Sequence, residues 1–367
     1  MFSILAALIT LGGFVNAQGY ISLPFTKESV DLSANSYLQK REVTGELEHE
    51  LTKFAVSFSL GDGQSQKAIL NTTYPDIWVY SNQTPARFRY NPTNAEPVSD
   101  NLNLNFPDGT RAQGSYYKDK VTFNGVTVDG TFAVSNTYDD RTSFGQFGLG
   151  PRAKRDECSD VGQAETSYPY ILKEAGKVEA AAYSMRLTQR GKNGNIVFGA
   201  VDASQYEGKL QLLDNKAEDT FSVEFTVDGN TLVGEINAAS SDMYLPDDIV
   251  TRLATSSGAT LSEDGKDYIL NKWNENLELT LNFSGTDINI SAAWLQVSST
   301  QFSSPLELTV KPTSQSNGKV ILGEPFLQAA YTVFDLEHNQ VAVAQAVRSD
   351  NPDYKVITSA GIPGASY

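Results

Sequence analysis

The chain has 367 residues, 40% of them hydrophobic and 10% aromatic, and a net charge of −16. That content suffices for one large core or two medium ones and argues against a disordered chain. The charge argues against nucleic acid and anionic membrane surfaces as partners, because both are held by clusters of Lys and Arg that are missing from this sequence.

Read in chain order, Met1 to Ala17 carries an apolar run, Ile4 to Leu11, followed by Val15-Asn16-Ala17. This is the pattern of a secretory signal with a small-residue cleavage site. Residues 18–41 read as a short pro-segment closed by the dibasic pair Lys40-Arg41, which resembles the site of a kexin-type processing protease. Lys154-Arg155 is a second such pair, placed where a cut would nick a loop without removing a core element. Beyond residue 42 short apolar or alternating runs predict strands, among them Phe54–Phe58, Val121–Phe123, Gly194–Phe198, Phe221–Phe225 and Leu277–Leu281. Helices are expected only at Tyr168–Glu174, Pro246–Ala254 and Pro325–Ala330, with Pro246 suited to a first helical turn. Cys158 stands alone in a polar stretch, so an internal disulfide is excluded, and an inert free thiol is expected, with an intermolecular bridge as the alternative. No later stretch reaches the roughly 20 apolar residues of a membrane span, and Gly361–Tyr367 lacks the hydrophobic tail of a glycolipid anchor. A secreted monomer, extracellular or in the cell wall, is the expectation.

The chain also repeats itself weakly. Asn71 is followed by Trp78-Val79 and later by Phe147-Gly148-Leu149-Gly150, and Asn237 by Tyr244-Leu245 and later by Val320-Ile321-Leu322-Gly323. The stretches 68–81 and 233–246 that hold the two asparagines resemble the paired catalytic segments of pepsin-like aspartic proteases, in which an apolar pair precedes Asp-Thr/Ser-Gly-Ser/Thr. Asn71 and Asn237 then stand at the aspartate positions, with Thr73 and Ala239 in place of the glycines. Asp108–Gly114 with Lys118–Gly125 is similar to the family's flap hairpin, Gly194–Gly208 to the segment joining its lobes, and Ile321–Asp335 with Gln340–Gln345 to its C-terminal signature. The details resemble secreted yeast enzymes, the candidapepsins and yapsins.

The resemblance implies an all-β, bilobal fold with a pseudo-twofold axis and a cleft between the lobes: an N-terminal lobe over 42–190, a C-terminal lobe over 191–346 and a tail over 347–367. It also implies that the chemistry fails. An aspartic protease shares one proton between two carboxylates, and an asparagine amide neither takes nor delivers a proton in that range. Side chains at Thr73 and Ala239 are expected to hinder the approach of backbone N–H groups. Thr72 keeps the hydroxyl of the family's grip between lobes, Ala238 cannot answer it, and Phe106 takes the flap tyrosine's place, depriving Trp78 of a hydroxyl partner. Asp76, Glu235 and Asp242 are the nearby carboxylates, each expected to be structural or solvated. His49 and His338 are too few and too far apart for a triad or a histidine metal site, and no cofactor motif is present.

Four N-glycosylation acceptors start at Asn71, Asn82, Asn282 and Asn289; Asn71 is expected to be bare and Asn82 modified. The reading that follows is a catalytically dead, zymogen-like secreted glycoprotein whose cleft holds an extended peptide or a secreted protein. A residual acid endopeptidase and an extracellular structural or interaction protein on the same fold are the alternatives.

Overall fold

The computed structural model describes residues 15–16, 20–29, 52–105, 109, 111–139, 144–151, 167–187, 194–300 and 303–367. Lys40-Arg41, His49, Phe106, Lys154-Arg155 and Cys158 lie outside them. The protein is mostly β, in several sheets, and has the bilobal pepsin-like architecture.

One antiparallel backplane joins the two halves. Its strands run in the order Tyr206–Asp214, Gln340–Ala346, Ala330–Asp335, Ala182–Arg186, Gly194–Phe198, Tyr20–Ser29 and Thr52–Leu60. The strand Tyr20–Ser29, inside the expected pro-segment, therefore sits between Gly194–Phe198 and Thr52–Ala55. Between the backplane and the strands in front of it the cores of both halves merge through one aromatic chain. Phe147 meets Tyr168 at 5.0 Å, Tyr168 meets Phe198 at 5.2 Å, Tyr183 stacks on Phe334 at 4.7 Å and Phe334 meets Phe221 at 4.9 Å. Such ring pairs add directional attraction to the burial of large apolar surfaces. The segment after 346 is also tied down: Tyr354–Val356 pairs with Ala200–Asp202, and Ile357 is buried.

In front of the backplane each half repeats one arrangement. In the first, β1 (Gln64–Asn71) and β2 (Trp78–Ser81) flank β3 (Gly145–Gly148), which runs parallel to β1 and antiparallel to β2. In the second, β4 (Asn230–Ile236) and β5 (Met243–Leu245) flank β6 (Ile321–Leu322) in the same two senses. The weak internal repeat in the sequence is thus a real structural repeat. Its spacing is set by glycine. A Cβ on Gly148 would lie 2.2 Å from the Pro75 carbonyl oxygen, and one on Gly323 would lie 2.1 Å from that of Asp242. Backbone stands where a side chain would have to go in both lobes.

The expected helices form at Tyr168–Glu174, Asp247–Ser257 and Glu324–Ala329, and a short fourth, Ala292–Leu295, was not expected. Pro246 is displaced from its expected place. Its ψ of 139° is extended, so it caps the helix instead of joining the first turn, and Asp247 and Asp248 take the positions where a carboxylate favours the helix dipole.

Gly323→Ala is expected to cost at least about 2 kcal/mol, because overpacking here meets carbonyl oxygens instead of yielding side chains. Gly229→Ala, at a φ of +76° with open space around it, is expected to cost roughly 1 kcal/mol. Urea unfolding midpoints of the two variants measure the difference.

Candidate functional site

The two asparagines end β1 and follow β4, and the lobes meet at the loops after them. Thr72 makes that junction. Its side chain is fully buried; the hydroxyl donates to the Ile236 carbonyl at 2.8 Å and accepts the Ala238 N–H at 3.0 Å. One side chain therefore satisfies two backbone groups of the opposite lobe. As the sequence suggests, Ala238 returns nothing from its own side chain.

Asn71 is 3% exposed, so each of its polar groups needs a partner. Its Oδ1 accepts from the Thr73 N–H at 2.8 Å, the Thr73 hydroxyl at 2.7 Å and the Tyr74 N–H at 3.2 Å. Its Nδ2 donates to Gln146 Oε1 at 2.7 Å. Asn237 repeats the pattern with different partners: Oδ1 accepts the Ala239 N–H at 2.9 Å and Nδ2 donates to Glu235 Oε1 at 3.1 Å. The expectation that Thr73 and Ala239 hinder the backbone is thereby overturned. Their N–H groups reach the carboxamides unimpeded, and Thr73 adds a hydroxyl donor of its own.

The site contains two residues that the sequence reading placed elsewhere or missed. Gln146 lies on β3 opposite Trp78, just ahead of the repeated apolar-Gly motif, and its only sequence signal is a polar residue inside an apolar run. Glu235, expected to be structural or solvated, is half-buried and accepts a hydrogen bond from Asn237, which brings it into the site. It lies two residues before Asn237, and the alternation of a strand places both on one face. Burial raises its carboxyl above the ordinary glutamate value, against the opposing pull of Lys319 and the Asn237 N–H.

The remaining candidates fall outside this cluster. Asp242 pairs with Lys311 at 3.5 Å, and Lys311 reaches Asp267 at 2.7 Å, an ion-pair network within the second lobe. Asp76 is buried. Trp78, expected in the cleft, is 1% exposed and packs edge-on to Tyr80 at 5.2 Å, among Leu102, Leu104 and Ala112. It lies under the hairpin formed by Glu96–Asn105 and Arg111–Phe123. His338 pairs with Asp335 at 2.7 Å in a turn, and that carboxylate raises its pKa.

A two-lobed β fold whose halves present matching side chains at one junction, bridged by a threonine, is the frame of the pepsin-like proteins. The model of the eukaryotic aspartyl protease family matches residues 53–346, and the chain belongs to that family. Among known relatives, the acid extracellular protease of Yarrowia lipolytica is 26% identical over 96% of this chain and 98% of its own length. Aspartic proteinase yapsin-3 of Saccharomyces cerevisiae is 26% identical over 94% of this chain and 76% of its own. Secreted aspartic protease 3 of Candida albicans is 25% identical over 90% and 91%.

Thr72→Val is expected to leave the Ile236 C=O and the Ala238 N–H without a partner, at about 1–3 kcal/mol each, whereas Thr72→Ser keeps the bridge; chemical denaturation of the two variants separates these outcomes. Glu235 sets a pH dependence. Its folded pKa lies above its unfolded one, so its stabilising contribution is complete below the ordinary value of 4.5 and is lost as pH rises through the raised value. Unfolding free energy measured across that window is expected to fall with pH in the native protein and to fall less steeply in Glu235→Gln.

Proposed function

We propose that the protein is a secreted aspartic-protease homologue that binds an extended peptide at the lobe junction without cutting it. The observation that carries this reading is that both junction side chains are carboxamides whose Nδ2 groups are each committed to an acceptor, Gln146 or Glu235. Water activation in this family needs two carboxyls sharing a proton. Here Glu235 is a carboxyl on one side only, and the group that accepts from Asn71 on the other side, Gln146, is a neutral amide. Loss of a general acid–base group costs about 10²–10⁴ in rate, and this junction lacks the acid–base pair as a whole.

The floor is also lopsided. Asn71, Thr72 and Thr73 are buried, whereas Asn237, Ala239 and Ser240 are partly exposed, so a bound peptide would lie nearer the second lobe. Secretion is supported by the signal-like run before Ala17 and by relatives that are named extracellular or secreted. Among the described residues no helix is long and apolar enough to cross a membrane.

The test is digestion of a diverse peptide library by the protein as secreted, from acid to neutral pH, read by mass spectrometry with and without a transition-state inhibitor of aspartic proteases. No inhibitor-sensitive product is expected, together with saturable binding of a subset of extended peptides by fluorescence anisotropy. Inhibitor-sensitive cleavage would overturn the proposal.

A further inference from the structure

Away from the lobe junction, the first lobe has a recess of about 350 Å³ at the end of β2. Its wall comes from the turn after that strand, Ser81, Asn82 and Gln83, from Asn91, from Asn136 just after the neighbouring strand Val126–Ser135, and from Tyr117 on the strand beyond, Arg111–Phe123. No lining side chain carries a charge, although 20% of the chain's residues do. Carboxamides and hydroxyls around one aromatic ring are suited to a neutral, hydroxyl-rich ligand. Each Asn or Gln offers both a donor and an acceptor, and a tyrosine offers an apolar face with a polar tip. That is the recognition chemistry of a sugar.

The turn fixes where such a sugar would start. Asn82 N–H donates to the Tyr90 carbonyl at 2.9 Å, and the Thr84 N–H and hydroxyl donate to the Ser81 carbonyl at 3.0 and 2.8 Å. These bonds use the backbone and leave the Asn82 carboxamide at the rim. It is exposed and, among the described residues, is touched only by the Ser81 hydroxyl at 3.5 Å. The side chains of Gln83 and Asn136 make no hydrogen bond among the described residues. Asn82-Gln83-Thr84 is a glycan acceptor, so an attachment point lies in the recess wall itself. Asn71-Thr72-Thr73 is the contrast, with its carboxamide buried and bonded on both sides.

We propose that Asn82 carries an N-linked glycan whose first N-acetylglucosamine units fold back into this recess, against the Tyr117 ring and the carboxamides of Gln83 and Asn136. The volume is at the lower end of the ~300–1,000 Å³ typical of small-molecule sites, which suits a short core and not a whole branched glycan. A free polysaccharide end has the same chemistry, but a tethered sugar meets the recess at an effective concentration on the order of millimolar. The attached glycan is therefore the occupant.

The test uses the full chain secreted from a glycosylating host, beside Asn82→Gln and two recess variants, Tyr117→Ser and the double variant Gln83→Ala/Asn136→Ala. Glycopeptide mapping is expected to find Asn82 occupied and Asn71 bare. Amide hydrogen exchange over residues 81–84 and 91–93 is expected to be several-fold slower in the glycosylated protein than in Asn82→Gln. The thermal midpoint should be higher by about 1–3 °C. Trimming to the first sugar should retain part of this protection, and either recess variant, still glycosylated, should lose it. An unmodified Asn82 would overturn the proposal, as would an occupied Asn82 with exchange identical to Asn82→Gln. Protection of Asn82→Gln by free chitobiose, without protection by the attached glycan, would assign the recess to an external saccharide and also overturn it.

Discussion

Enclosing a carboxamide where two lobes meet obliges each of its polar atoms to find a partner, because a buried donor or acceptor left alone costs more than a hydrogen bond gains. Asn71 is in that position and Asn237 in a milder form of it. Much of the junction can be read as the answer. Backbone N–H groups two residues on supply donors to each Oδ1, and a side chain from Gln146 or Glu235 supplies the acceptor for each Nδ2. The loops hold these shapes because Gly148 and Gly323 let backbone pass within contact distance behind them. The glycines, the carboxamides and the Thr72 bridge are one mechanical unit, tied to the aromatic chain through Phe147 on β3.

The fold was legible in the sequence because its motifs are long and ordered, and because the structural demands behind them are steric. The apolar-Gly segments at 147–148 and 322–323 are fixed by a carbonyl oxygen that excludes a Cβ. Strand and helix positions followed from periodicity, and Pro246 shifted by one place because its ψ was decided by the strand that precedes it. The site was legible only along the chain. Asn71, Asn237 and Thr72 could be found from their neighbours, but Gln146 lies 75 residues from Asn71, and no local pattern marks a polar side chain that completes a distant one. The same limit applies to Thr73, where identity suggested obstruction and the direction of the side chain made it a donor.

Charge is distributed unequally between the two halves of the junction. The first half is neutral and closed. The second holds Glu235, with a half-buried carboxyl whose ionisation is opposed by burial, and it is the half that remains accessible. A twofold-related scaffold thus presents two chemically unlike halves without any difference in topology.

The two sides would also receive an introduced acid unequally. A carboxylate at position 71 would find the Thr73 and Tyr74 donors already aimed at it, and the Gln146 amide can turn to offer its own N–H groups. At position 237 a carboxylate would confront the oxygen of Glu235 at the spacing now bridged by the Asn237 amide. Two acids would then share a proton within one lobe instead of across the junction. A single substitution therefore suffices to seat an acid on the first side, whereas on the second the bridging neighbour acts as a ratchet and would have to change before an introduced acid could serve any partner across the axis.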